Sequence, residues 1–340
     1  MADVRHPSRH RPTPRVLVYE FASGGGFGNA PPPPSILAEG RAMRDALCRE
    51  LADLDIAVAA ATAPLAPVPS GLTFVCARSG ERAADFLERV AGGFDAVWLV
   101  APESAGIAAE LTARLETRGV TLLGCCAEAV TLASSKSRCL AHLAAQGIAT
   151  APTWPLAAAP FAACPLWVVK PDIGCGCEGM LRLSAMEAAR LNRADTIAQP
   201  WIDGTAMSLS LLVADGRAEL ISVNRQHIDV ADDGALSLAG ISRCHDLDRA
   251  LAAHLQALTR RIARAIPGLA GYVGVDFILM PNGKPMALEV NPRLTSAFVG
   301  LSDFLGRNLA GDIIAALAPE LLGPCKTPPS WSVGISAAPI

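Results

Sequence analysis

Charge is scarce in this chain and nearly balanced: 18% of the 340 residues are charged and the formal net charge is -3. Without a basic excess there is no field to hold a nucleic-acid backbone, which argues against partners of that kind. Long apolar runs are missing too, although 51% of the residues are hydrophobic, and a membrane span needs roughly 20 in a row. The first residues, with Arg5, Arg9 and Arg11 among three prolines, lack a secretory apolar core. The expected location is therefore the cytoplasm.

A cysteine framework is also absent. Of ten cysteines, Cys48, Cys76, Cys139, Cys164, Cys244 and Cys325 stand alone. Cys125-Cys126 and Cys175-x-Cys177 are too closely spaced to build paired metal knuckles. Most read as small buried apolar side chains in a reducing compartment. Nor is there a nucleotide fingerprint after the first strand. Ser23-Gly24-Gly25-Gly26-Phe27-Gly28 neither opens a helix as a dinucleotide loop does nor ends in Gly-Lys-Ser/Thr, and four prolines follow it. A lid, a close approach to substrate and a structural loop all stay open for it.

What is present is length and patterning for two or three domains. Residues 1–14 read as a disordered tail. RVLVYEF, DIAVAAAT, FDAVWLVAP and GVTLLG read as strands, separated by helices over EGRAMRDALCREL, with Ser35 as its cap, around Arg82 to Val90, and over Ala105 to Thr117. Strands alternating with helices predict a parallel α/β unit. Glu39 and Glu103 fall near strand carboxyl ends, where open sheets bind ligands.

Past Gly124 the spacing predicts a helix centred on Lys136 and closed by Gly147, then a buried strand ending at Lys170. Gly174, Gly176 and Gly179 follow in a loop whose backbone N–H groups can wrap phosphate oxygens, with Lys170 as a point charge. A plain strand-end lysine with a glycine hairpin is the simpler alternative. SAMEAARLN reads as a helix and TIAQPWIDG as a strand. MSLSLLVADG and AELISVNRQHI form a hairpin around Asp215-Gly216, and helices run from Asp248 to Ile266 and over AGDIIAALAPELLG.

GYVGVDFILMPNGKPMALEVNPRLTS, from Gly271 to Ser296, predicts another hairpin. A two-residue Asn282-Gly283 turn pairs Val275 with Val290, Phe277 with Leu288 and Leu279 with Met286. The same register sets Asp276 opposite Glu289, with Asn291 on their face. Carboxylates across a ladder repel unless a cation lies between them, and two carboxylates plus an amide oxygen suit Mg²⁺ or Mn²⁺. A solvated polar face is the alternative.

In this order, Lys136, Lys170 with its glycine loop, Gln199-Pro-Trp-Ile-Asp-Gly204, Asp276 and Glu289-Val-Asn291-Pro-Arg293 resemble the ATP-grasp superfamily. The resemblance covers roughly Gly119 to Leu317. It implies a mixed α/β and α+β fold: a Rossmann-like pre-ATP-grasp domain over 15–124, then ATP-grasp subdomains over 125–200 and 201–318 and a tail over 319–340. It further implies ATP between the subdomains, with Lys136 and Lys170 on its phosphates under the closing loop from Asp172 to Gly179. Adenine would lie on Gln199, Pro200, Trp201 and Ile202, and Asp276, Glu289 and Asn291 would hold the metal. Arg293 would steady the transferred phosphoryl group, with Arg225 as a second candidate because Gly274 stands where D-alanine ligase relatives carry arginine. Ala206 stands where many relatives place the ribose-binding acid, and Asp203 is the substitute. Cys175 and Cys177, inside the loop, receive no role.

The implied reaction is ATP-dependent ligation of a small carboxylate to an amine. The segments YEFASGGGFG, EGRAM, APESAGI and ISVNRQ further resemble the tyramine- or tyrosine-glutamate ligases of methanofuran-type cofactor pathways. Another amino-acid or peptide ligase and a nucleotide-binding protein without ligase activity remain as alternatives. No membrane or nucleic-acid partner is expected, and a homodimer is left open.

Overall fold

The computed structural model describes residues 12–63, 66 and 70–322, so most of both expected tails lies outside it. β1 (Arg15–Glu20), α1 (Pro34–Ala52), β2 (Ala57–Thr62), β3 (Thr73–Cys76), α2 (Ala83–Val90), β4 (Ala96–Val100), α3 (Ile107–Thr117) and β5 (Thr121–Leu122) form the first unit. Its five strands are parallel in the order β3-β2-β1-β4-β5. Val16 to Tyr19 are fully buried, as a central parallel strand covered on both faces demands.

α4 (Ala127–Ser134), α5 (Lys136–Ala145), β6 (Trp154–Pro155), β7 (Leu166–Pro171), β8 (Leu181–Ser184), α6 (Ala185–Arg190) and β9 (Thr196–Pro200) follow, with an antiparallel sheet ordered β6-β9-β7-β8. β10 (Thr205–Ala214), β11 (Arg217–Val230), β12 (Leu236–Arg243), α7 (Arg249–Ala265), β13 (Gly271–Leu279) and β14 (Pro285–Asn291) complete a second antiparallel sheet, β12-β11-β10-β13-β14. α8 (Leu301–Leu305) and α9 (Leu309–Leu317) return to the first unit. There Asn308 donates to the Glu50 carbonyl at 2.7 Å and the Ala310 N–H to the Glu50 carboxylate at 3.0 Å. Ile313 and Ile314 pack in one cluster with Val16, Leu47, Tyr272 and Phe298. The parallel sheet and the last antiparallel sheet thus share a core.

Four edge strands, β3, β6, β8 and β12, escape the sequence pattern. β3 is short and largely exposed, and β12 carries Gly240 with little alternation. The helix expected around Lys136 is two helices. Ser135 breaks them with extended dihedrals and caps α5, its Oγ accepting from the Arg138 N–H. α1 starts on Pro33 and Pro34 rather than on a Ser35 cap, proline being favoured at the first helical position. Of the nine cysteines among the described residues, all free, only Cys48, Cys125 and Cys139 are buried, so burial is not the general rule for them.

The two hairpins behave differently. Asp215 and Gly216 both take positive φ, as a two-residue turn requires. In the other hairpin only Gly283 does; the Gly283 N–H bonds the Met280 carbonyl and the Met280 N–H bonds the Lys284 carbonyl. Pro281, with its fixed φ, suits the start of a type I turn, giving a three-residue loop that closes on glycine. Near the turn Phe277 therefore faces Ala287, not Leu288, and Leu279 faces Pro285, not Met286. A bulge between Asp276 and Phe277 takes up Leu288 and restores the expected pairing of Asp276 with Glu289.

Candidate active site

Between the two antiparallel sheets lies a cleft of about 650 Å³. One row of paired residues crosses the whole larger sheet and enters the cleft floor from Ser208 onward: Arg243 pairs with Asn224, Asn224 with Ser208, Ser208 with Asp276 and Asp276 with Glu289. At the β14 end the charged groups converge. Lys136 Nζ lies 3.2 Å from Glu289 Oε1 and donates to the Gly174 carbonyl at 2.7 Å. Asp276 accepts from the Asn291 amide at 3.1 Å and from Gln226 at 3.0 Å.

Electrostatics mark this end as unbalanced. Burial, and then the neighbouring Glu289, push the Asp276 carboxyl up to about 6 despite its two amide donors. Burial likewise pushes the Lys170 ammonium down to about 8, with Lys136 adding to the effect and Glu289 opposing it. A pair of half-buried carboxylates with an adjoining amide fits a hard divalent cation, which would remove the repulsion. Only two of the three oxygen donors are acidic, so no group of three His, Cys, Asp or Glu ligands exists among the described residues.

The glycine loop is tied down at its base. Asp172 accepts from Ser135 Oγ at 2.6 Å and from the Ser137 N–H at 2.7 Å, while its carbonyl receives the Lys136 N–H. Those bonds set the first turn of α5, and hence Lys136, against the loop. Gly176 and Gly179 both have positive φ, so the loop turns where a side chain would strain it. Cys175 Sγ lies 3.7 Å from Ser104 Oγ.

Lys170, Gly176, Gln199, Pro200, Trp201, Ile202, Arg225, Asp276, Glu289, Asn291 and Arg293 all line the cleft. Lys136 and Gly174 reach it through their bonds to Glu289 and to each other, and Gly179 packs on Pro171. Asp203 is exposed and outside the lining. The Gln199 amide is engaged by Thr153 and the Trp201 N–H by the Leu166 carbonyl. Arg293 Nη2 donates to the buried Glu103 at 2.8 Å. Burial works against the Arg293 charge, but Glu103 outweighs it and holds the pKa above the ordinary value. Glu39 also borders the cleft, as do Thr295 and Ser296.

Sequence reasoning missed Gln226, the Ser135–Asp172 link and Leu288, which the bulge brings into the cleft lining. Pairing of β10 with β13 joins segments about 60 residues apart in sequence, which no local pattern encodes. Asn291 and Glu289 were within reach because their partner Asp276 lies in the same hairpin.

A parallel α/β unit followed by two antiparallel sheets around a lysine- and carboxylate-lined cleft defines an ATP-grasp protein. More particularly, the chain carries a pre-ATP-grasp 3 domain over residues 54–130 and an ATP-grasp domain over 133–297, and it belongs with the ATP-grasp proteins. It is similar to tyramine–L-glutamate ligase of Methanocaldococcus jannaschii, 27% identical over 296 residues and 84% of each chain. Its fold matches an ATP-grasp superfamily protein from Archaeoglobus fulgidus with a TM-score of 0.70 at 22% identity, over 89% of this chain and 88% of that one. It also matches an L-amino acid ligase from Bacillus licheniformis, with a TM-score of 0.66 at 16% identity, over 90% and 74%. No helix among the described residues is long and apolar enough to cross a membrane.

Proposed function

We propose that the chain joins L-glutamate to tyramine or a tyrosine-like amine, as in methanofuran-type cofactor biosynthesis, with ATP and Mg²⁺ or Mn²⁺ in the cleft. The observation that carries the chemistry is the convergence of Lys136, Lys170, Asp276, Glu289 and Asn291 at one end of that cleft. The choice of substrates is supported by the likeness to tyramine–L-glutamate ligase.

In this reading the two lysines take the nucleotide phosphates and the loop from Asp172 to Gly179 covers them. Adenine would lie on the backbone near Pro200 and Ile202, since the Trp201 N–H is engaged, and Leu288 adds an apolar side chain to the cleft lining. Asp276, Glu289 and Asn291 would hold the cation, which would supply positive charge against the phosphate oxygens and ease the approach of the attacking carboxylate. One substrate carboxylate oxygen attacks the γ-phosphorus and ADP leaves. The amine then attacks the acyl carbon of the resulting acyl phosphate, loses a proton and expels phosphate. Arg293 and Arg225 flank that centre as cations for the developing charge. The closed loop keeps water from the acyl phosphate. Free cysteines throughout the described residues fit work in the cytoplasm.

The test is ADP release with Mg-ATP across a panel of acids and amines, with mass spectrometry of the product. Amide from glutamate and tyramine or tyrosine bears the proposal out. Amide from another pair replaces the substrates, and ATP binding without ADP release from any pair removes the ligase assignment.

A further inference from the structure

Beside the cleft lies a second cavity of about 290 Å³, formed by Asn224, Arg243, His245, Val299 and Phe304. Ile241, Ser296 and Ala297 line both spaces, so the smaller opens off the larger. No lining residue is acidic. Arg243 is nonetheless held in place. Its Nη2 donates to the Val299 carbonyl at 2.6 Å and its guanidinium stands 5.4 Å above the Phe304 ring. His245 meets the same ring edge-on at 5.1 Å. The Arg243 Nε is buried and has no partner. A guanidinium fixed on one face and one corner, with an unsatisfied donor edge, is the arrangement that receives a carboxylate.

Register gives the second half of the argument. Arg243 and the cation-holding Asp276 and Glu289 stand in one row of one sheet face, with three strand steps, or about 14 Å, from Arg243 to Asp276. The arginine side chain from one end and a phosphoryl group at the other reduce that span to the length of a small dicarboxylate. We propose that this side chamber holds the second carboxylate of a dicarboxylic amino acid, the first being phosphorylated at the cleft floor. This deepens the ligase reading and rests on it. Arg243 is thereby the residue that makes the acid site prefer two carboxylates over one.

The experiment compares L-glutamate with L-glutamine and γ-aminobutyrate, each lacking one free carboxylate, as acid substrate with tyramine and Mg-ATP in wild type and Arg243→Gln. The expected result is a KM for glutamate raised at least tenfold in the variant, with the KM for ATP unchanged. The analogue that lacks the anchored carboxylate should already be poor in wild type and should lose nothing further. Equal losses for all acids, or an unchanged glutamate KM, overturn the proposal. Should Arg243→Gln fail to fold, Arg243→Lys serves: it keeps charge but not the forked geometry and should raise the glutamate KM alone. If no acid–amine pair releases ADP, the ligase reading has failed and calorimetry decides on the chamber. Glutamate binding to the Mg-ADP complex that Arg243→Gln weakens tenfold sustains it; no binding, or equal binding, overturns it.

Discussion

Glu289 has two neighbours of opposite consequence: Lys136 at 3.2 Å, which favours its charge, and Asp276 across the ladder, which does not. Glu289→Gln removes one charge at nearly constant volume. It should lower kcat at least about a hundredfold, the scale of losing one preorganised electrostatic contact, with little change in melting temperature; ADP release and thermal unfolding measure the two. Lys170, buried at the base of the same site, behaves differently. Lys170→Ala should raise the KM for ATP about tenfold or more, as expected for a charge-assisted bond of roughly 1.5–3 kcal/mol. Its ammonium is pushed down to about 8, so above that pH the free enzyme increasingly holds a neutral lysine that phosphate binding must recharge. ATP affinity should therefore fall as pH rises through about 8, with proton uptake detectable by calorimetry in buffers of different ionisation enthalpy. An affinity flat across that range would detach Lys170 from the phosphates.

The hairpin from Gly271 to Asn291 shows how far an element can be read from its residues. Alternation placed Asp276 and Glu289 on one face of a local pairing, and they do meet across it. The turn itself read incorrectly, since Pro281 draws the chain into a three-residue loop, and only the Leu288 bulge brings the register back. That compensation depends on packing against the cleft, which the alternation does not carry. The split between α4 and α5 was hidden for a related reason: Ser135 is a tolerable helix residue, and what breaks the helix is Asp172, 37 residues away, accepting its Oγ. Asp172→Ala should release that anchor. We expect a several-fold higher KM for ATP and faster amide exchange over residues 172–179, with the β10–β14 sheet as protected as before. Gly204 makes a sharper stability test. At φ +154°, a Cβ there would collide with Ile278 and the Leu279 carbonyl, so Gly204→Ala should cost about 2 kcal/mol, within the range for forced backbone strain, read from denaturant unfolding.

At the scale of the whole molecule, the parallel sheet is more than an appendage to the cleft. Glu103 follows β4 at the carboxyl end of that sheet and is 2% exposed, and its partner Arg293 follows β14 and lines the cleft. The pair is incomplete: Glu103 Oε1 and Arg293 Nε are buried without partners, so the arginine can turn part of its fork toward an incoming anion without leaving its carboxylate. Each residue was visible in the sequence, one at a strand end and one after Glu-Val-Asn-Pro; their meeting, 190 residues apart, was not, because it depends on how α9 seats one unit on the other. Glu103→Gln leaves the Arg293 charge buried without its counter-ion, a loss of about 3 kcal/mol for broken buried pairs, and should lower the melting temperature of the free protein. Phosphate in the cleft would then take the place of the lost Glu103 charge beside Arg293, with Glu289 acting from farther off. Saturating Mg-ATP should therefore raise the melting temperature of Glu103→Gln by more than that of wild type, since a ligand stabilises by its affinity for the folded state. Equal increments in the two proteins would mean that Arg293 serves the join between the units and takes no part in holding the phosphoryl group.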